Sequence, residues 1–140
     1  RRMLTNLYNF ADLQDMGLEP CAYSVTFNVT GDRLNAILNQ RSQDVLVANN
    51  WNVSQYAVLV HMMAQVSDLM AGELVHVIAD AHIYDRHEDL VRELIARPTH
   101  PAPIFRMNPD IKDFYAFQLE DFEFERYETG PQVTGIPVAV

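Results

Sequence analysis

The sequence is short of cysteine, of positive charge and of uninterrupted apolar stretches. Cys21 is its only thiol, so no disulfide can close within the chain. With no secretory signal at its start, a reducing cytoplasm is the expected compartment. Basic residues number 10 against 19 acidic ones, a formal net charge of -9. That balance excludes a broad nucleic-acid surface, which needs an excess of cations, but leaves room for a local anion site. The most apolar stretch, "NVSQYAVLVHMMAQVSDLM", is interrupted by Gln55, His61, Gln65 and Asp68. A membrane span of about twenty apolar residues does not tolerate that many breaks. Repeats and low-complexity segments are also missing. The chain begins at Arg1 and not at Met, which suggests a fragment.

Enough remains for a folded core. At 140 residues, 49% hydrophobic and 10% aromatic, the chain reads as one globular domain over 1–140. Met3 to Asn9 can form a strand, and Ala11 to Leu18 a short helical or irregular link. From Ala22 to Val29, Val25, Phe27 and Val29 alternate with Ser24, Thr26 and Asn28, the pattern of a half-buried strand. "TGD" at Thr30 to Asp32 is hairpin chemistry, and Arg33 to Arg41 returns as the next strand. A long helix is expected from about Val53 to Met70, ended by Gly72, and a strand from Glu73 to Tyr84. Leu90, Val91, Leu94 and Ile95 keep helical spacing within Arg86 to Arg97 until Pro98 stops them. "RPTHPAP" is a loop, and "IFRMN" and Asp121 to Glu128 are short strands. The fold class is α+β, an antiparallel or mixed sheet built on hairpins and packed on a central helix. That helix is apolar on nearly every side, so it should be buried, with the Met62 and Met63 pair packing and His61 a core histidine. So apolar a helix needs cover from a further segment or a partner subunit.

Four clusters carry candidate chemistry. Arg1 and Arg2 are either a solvated chain start or an anion contact. "QRSQD", Gln40 to Asp44, places a cation, a hydroxyl and a carboxylate within reach of a phosphate, although such clusters also end ordinary surface strands. Asn52 opens the long helix, where it can serve as a cap. "DAHIYDRH" puts Asp80, His82 and Tyr84 on one face of a strand, and His82 and Tyr84 can both exchange hydrogen bonds with a hydroxyl. A metal held by Asp80, His82 and His87 fits no standard zinc spacing. Cys21 itself, behind Pro20 at the mouth of a strand, is either a small buried hydrophobe or a nucleophile.

Taken in order, "EPC", "QRSQD", "WNVSQYAVL", "DAHIY" and the final "IPVAV" resemble thymidylate synthase. In that family a Pro-Cys nucleophile, a Gln-Arg-Ser-x-Asp motif, an aromatic-Asn helix start, an Asp-x-His-x-Tyr strand and a Pro-Val-Ala ending occur in this sequence. The Arg1-Arg2 pair also stands at the family's distance before the cysteine. The resemblance covers the whole chain and corresponds to the C-terminal part of the family's length.

The resemblance implies reductive methylation of dUMP to dTMP, with 5,10-methylenetetrahydrofolate as co-substrate and no metal. It implies Cys21 as the catalytic nucleophile adding to C6 of uracil, kept partly as thiolate by nearby positive charge. Arg41 and Ser42 would hold the dUMP phosphate, with Arg1 and Arg2 reaching the partner's site across a homodimer formed by a sheet face. Asn52 would read the base, His82 and Tyr84 the sugar hydroxyl, and Asp44 the folate side of the nucleotide site. The tail would close over the ligands, with Ala139 near folate and the Val140 carboxylate anchoring it.

Some residues depart from the family pattern: Ala22 after the cysteine, Ala48 and Ala79 in place of glycines, and Trp51 in place of phenylalanine. The early arginine loop, the proton-relaying glutamate and the folate walls of the family are not in this sequence. Two alternatives accompany the main reading. One is a dimerising nucleotide-binding fragment without turnover. The other is a deoxycytidylate hydroxymethylase, which would be expected to carry aspartate where Asn52 stands.

Overall fold

The alternating runs on either side of "TGD" form strands β2 (Ala22–Thr30) and β3 (Arg33–Gln40), joined by a turn at Gly31 and Asp32. Gly31 has a φ of 61°, the left-handed conformation that such tight hairpin turns require and glycine adopts without steric cost. Strand β1 (Met3–Asn6) pairs antiparallel with β2, and β5 (Met70–Ile78) pairs with β3. The structure, a computed structural model, describes residues 2–138, and its contacts divide between His82 and Ile83 into two compact units.

In the first unit the sheet order is β1-β2-β3-β5. The β3–β5 pair is parallel, so the sheet is mixed and not built on hairpins alone. Parallel neighbours need a crossover, and α1 (Asn49–Val66) supplies it. Leu34, Ala36 and Leu38 of β3 meet Val25 and Phe27 of β2 and Tyr56, Val60 and Ala64 of α1 in one buried cluster. These helix residues follow an i, i+4, i+8 stripe, and Leu59 and Met63 pack beside it. The cover is one-sided: Trp51 is 77% exposed and His61, expected in the core, is exposed. Uniform apolarity gave no sign of which face the sheet would take.

The helix also stops a turn earlier than the sequence suggested. Asp68 adopts a φ of 53°, Asp68 N–H donates to the Gln65 carbonyl at 3.2 Å, and Leu69 N–H to the Ala64 carbonyl at 2.9 Å. This closure around a left-handed residue is the Schellman arrangement, here with aspartate where glycine is usual. Gly72 therefore does not end the helix. It lies within β5 where a Cβ would sit 2.8 Å from the Leu34 carbonyl oxygen, and the β3–β5 register shifts between Leu34 and Ala36. Its absent side chain permits close strand approach. The expected strand from Glu73 to Tyr84 is two pieces, β5 and β6 (Ala81–His82), the second paired in parallel with β4 (Gln43–Asp44).

The second unit holds α2 (Glu88–Ile95), shorter than expected because residues 85–87 form a 3-10 turn. It also holds an antiparallel pair, β7 (Ile104–Met107) and β8 (Phe122–Glu125). Phe105 stacks near Phe122 and Phe124, and Phe117 on Phe122. Arg106 pairs with Glu125 across the hairpin.

Candidate active site

Cys21 lies in a bend just before β2 and is half-buried. The backbone carbonyl of Cys21 accepts from Arg41 N–H at 2.9 Å, which extends the β2–β3 ladder to the cysteine. The Arg41 side chain returns to the same segment. Its Nε donates to the Pro20 carbonyl at 3.2 Å and its Nη2 to the Glu19 carbonyl at 2.7 Å, while Nη2 stands 3.7 Å from Cys21 Sγ. One guanidinium thus fixes the path of "EPC" and puts a cation beside its sulfur. A cavity of about 460 Å³ lined by Asn6, Tyr8, Phe10, Tyr23 and Arg41 opens on the same residue.

Past Arg41 the chain makes a tight polar knot. Gln40 is 2% exposed and Gln43 is 1% exposed. The two hydrogens on Gln40 Nε2 are shared among three acceptors, the Ser42 carbonyl at 2.8 Å, Gln43 Oε1, and Asn52 Oδ1 at 3.3 Å. Gln40 Oε1 lies 2.9 Å from His76 Nε2. Burial without partners is costly for amides, so these contacts are what makes a polar pair tolerable against the core. Burial pushes the His76 ring below the usual histidine range. Asn52 is not a cap: the cap position is Ala48, and Asn52 N–H already donates to the Ala48 carbonyl at 3.0 Å, one turn into α1.

Asp44 Oδ1 accepts from Leu46 N–H at 3.0 Å and Val47 N–H at 3.2 Å. The turn that leads into α1 therefore locks the carboxylate in place. Pairing of β4 with β6 sets Asp44 opposite His82. His82 Nδ1 lies 3.5 Å from Asp80 Oδ2. The first unit thus brings together Cys21 with Arg41, Asn52 with Gln40, and Asp44 with His82. Ser42 sits half-buried between β3 and β4, and Arg2 is exposed just before β1 with a φ of 68°. Arg1, Ala139 and Val140 lie outside the described residues. Among the described residues no group of three or more His, Cys, Asp or Glu could hold a metal ion. Nor is any helix of those residues long and apolar enough to cross a membrane.

Tyr84 belongs to the second unit, where its ring meets that of His87 edge-on at 5.8 Å. His87 is 1% exposed, and its Nε2 donates to the Pro137 carbonyl at 2.8 Å while Arg86 Nη1 donates to the Val138 carbonyl at 2.7 Å. The last described residues are therefore held through main-chain oxygens. His87, considered at first only as a metal ligand, has this role instead. Gln40, Gln43 and His76 are the other residues to which the sequence reading assigned no role.

Comparisons with known proteins bear on the family and the fold. A family model for thymidylate synthase matches residues 1–140. The chain superimposes on the thermostable thymidylate synthase A from Bacillus subtilis with a TM-score of 0.92 and 36% sequence identity. The match covers 98% of this chain and 50% of that one, so the chain spans half the length of its structural relative. With the family model matching this chain over residues 1–140 and the fold shared with a thymidylate synthase, this chain belongs to the thymidylate synthase family.

Proposed function

We propose that this chain provides the nucleophile and nucleotide-reading half of an enzyme that converts dUMP to dTMP. The observation that carries the reading is the Arg41 guanidinium 3.7 Å from the half-buried Cys21 sulfur. C5 of uracil is a weak nucleophile until a group adds at C6. Cys21 forms a C–S bond at C6, and the ring electrons move toward C5 and O4, so that C5 can attack a one-carbon unit. Arg41 pairs with the sulfur anion before attack and again when the C–S bond breaks. Methylenetetrahydrofolate, when bound, supplies the one-carbon unit and the hydride that reduces it to methyl. Loss of the C5 proton and departure of Cys21 from C6 complete the exchange.

Asn52 reads the uracil edge, accepting from N3–H and donating to O4. Ser42 and Arg41 hold the phosphate together with Arg1 and Arg2 of a second copy, and His82 and Tyr84 hold the 3'-hydroxyl. Asp44 suits a folate contact, because the amides of Leu46 and Val47 orient its carboxylate. Ala139 lies with folate at the tail. The second copy docks on the sheet face opposite α1. There Leu4, Thr26, Ile37 and Val75 form one row across four strands, and Leu4, Ile37 and Val75 are 62%, 41% and 48% exposed. A reducing cytoplasm keeps a lone thiol nucleophile in its working state. A second reading, a dimerising nucleotide-binding fragment without turnover, applies to residues 1–140 taken alone, since they span half of the matched structure. A deoxycytidylate hydroxymethylase is disfavoured by the amide at Asn52.

The test is trapping with 5-fluorodeoxyuridylate and methylenetetrahydrofolate. Fluorine at C5 cannot leave as a proton does, so intact-mass spectrometry should find a stable ternary adduct on Cys21. Cys21→Ser should form none, and an adduct persisting in that variant would remove Cys21 from the mechanism.

A further inference from the structure

The knot around Gln40 contains one acceptor whose identity cannot change, the backbone carbonyl of Ser42. A backbone oxygen never donates, so the Gln40 atom 2.8 Å from it must be the amide nitrogen. Gln40 Oε1 then faces His76, and the ring atom 2.9 Å away must carry a hydrogen. Gln43 obeys the same logic. Its Nε2 donates to the Asp44 carbonyl at 3.2 Å, which leaves Oε1 toward Gln40. Two backbone oxygens therefore settle the orientation of both buried amides and the tautomer of one imidazole.

The consequence reaches Asn52. A Gln40 N–H points at Asn52 Oδ1 at 3.3 Å, so rotating the Asn52 amide by half a turn would set donor against donor. Held as it is, Asn52 turns its Nδ2 hydrogens and the second lone pair of Oδ1 away from Gln40. That pattern complements uracil, whose O4 accepts and whose N3–H donates. The rotated amide would complement cytosine, whose N3 accepts and whose 4-amino group donates.

We propose that His76 is a positioning residue for base selection: its Nε2–H holds Gln40, which in turn holds the Asn52 amide in the orientation that reads uracil and refuses cytosine. This rests on the reading that Asn52 contacts the base. His76 touches no substrate; among the described residues its Nε2 is the side-chain donor that meets Gln40 Oε1. Without it a buried acceptor is left unsatisfied and the present orientation of the amide is held from its nitrogen side alone, by the Ser42 carbonyl and Gln43 Oε1.

The test compares binding of dUMP and dCMP to the full chain and to His76→Phe and His76→Gln. Phenylalanine keeps a ring but has no donor, and the glutamine amide can place an N–H where Nε2 stands. His76→Phe should narrow the preference for dUMP about tenfold, the scale of one buried acceptor left without a partner. His76→Gln should restore it. In wild-type protein, 15N spectra of the His76 ring should show hydrogen on Nε2. An unchanged nucleotide ratio in His76→Phe, or a ring protonated only on Nδ1, would overturn the proposal. Should His76→Phe not fold, the tautomer and the glutamine variant still decide it. A wild-type protein with no preference for dUMP would instead refute the Asn52 reading, and the tautomer alone would then judge the His76–Gln40 bond.

Discussion

Replacing Arg41 by lysine keeps the charge and removes the fork, so it separates what the cation does from what its geometry does. The guanidinium spans two carbonyls, those of Glu19 and Pro20, and still reaches Cys21 Sγ. A lysine ammonium is a point donor on a flexible stem and can meet at most one of those carbonyls while facing the sulfur. A charge-assisted hydrogen bond nets about 1.5–3 kcal/mol. Arg41 is only half-buried, so the lower end of that range applies, about 1.5 kcal/mol for the lost bond. That is roughly a tenfold drop in the ratio of correctly placed to displaced "EPC". Formation of the 5-fluorodeoxyuridylate adduct on Cys21 should slow by about that factor. Exchange of amide hydrogens over residues 17–21 should quicken, and the urea midpoint should fall by no more than the loss of that one bond implies, since Arg41 lies outside the core cluster. Both would be followed in one preparation, by time-resolved intact mass and by peptide-level exchange. A lysine variant that forms the adduct at the wild-type rate would show that positive charge alone suffices and that the fork has no part in placing Cys21.

Leu38 is 0% exposed between the sheet and α1, so Leu38→Ala should cost about 3–4 kcal/mol of stability, read as a lowered urea midpoint at unchanged slope. Ile37, its neighbour on the opposite face, is 41% exposed; Ile37→Glu should leave the monomer folded and shift sedimentation from dimer to monomer. In the second unit, hydrogen bonding to the Arg106 guanidinium holds the Glu125 carboxyl below its usual range. A depressed folded value means that this pairing stabilises the hairpin above the ordinary carboxylate value and is lost as the pH falls through the lower folded one. Carboxyl NMR should therefore show the Glu125 midpoint rising in Arg106→Gln, and an unmoved midpoint would deny the pairing.

Much of this molecule was legible before its coordinates, for reasons specific to particular residues. The alternation around Val25, Phe27, Leu34 and Leu38 and the Gly31 turn placed the β2–β3 hairpin, because period and turn chemistry are both local. Cys21, Arg41 and Asn52 were singled out through ordered motifs, and the hairpin explains why Cys21 and Arg41, 20 positions apart, meet. The end of α1 was misplaced because Asp68 takes a conformation in which glycine is the expected residue, and attention went to Gly72. A mixed sheet was allowed for, but that β3 and β5 are its parallel pair was not named, because the two strands meet only across the whole of α1. Gln40 did leave a trace. It continues the series Leu34, Ala36 and Leu38 on the buried face of β3, and a polar side chain at a core position asks for partners. Its partner His76 is 36 residues away, beyond what spacing can reveal. His87 gave no such signal, since its acceptor is a main-chain oxygen 50 residues later.

The sheet's connectivity also sets an order of assembly. Strands β2 and β3 are separated by Gly31 and Asp32 alone, so closing that hairpin costs little chain entropy and belongs to the microsecond range, about 1–10 μs for hairpins. Strand β5 can join β3 only after the 18 residues of α1 have been laid across the face, and β1 must bridge the long irregular segment before Cys21. We predict that growth starts at β3 and moves outward in both directions, which pulse-labelled hydrogen exchange would show as protection of Phe27 and Ala36 ahead of Val75; simultaneous protection would refute it. On that sequence the Cys21–Arg41 contact, continuous with the first hairpin, forms early, and the His76–Gln40 contact forms late. Cys21 is in place beside Arg41 before His76 reaches Gln40.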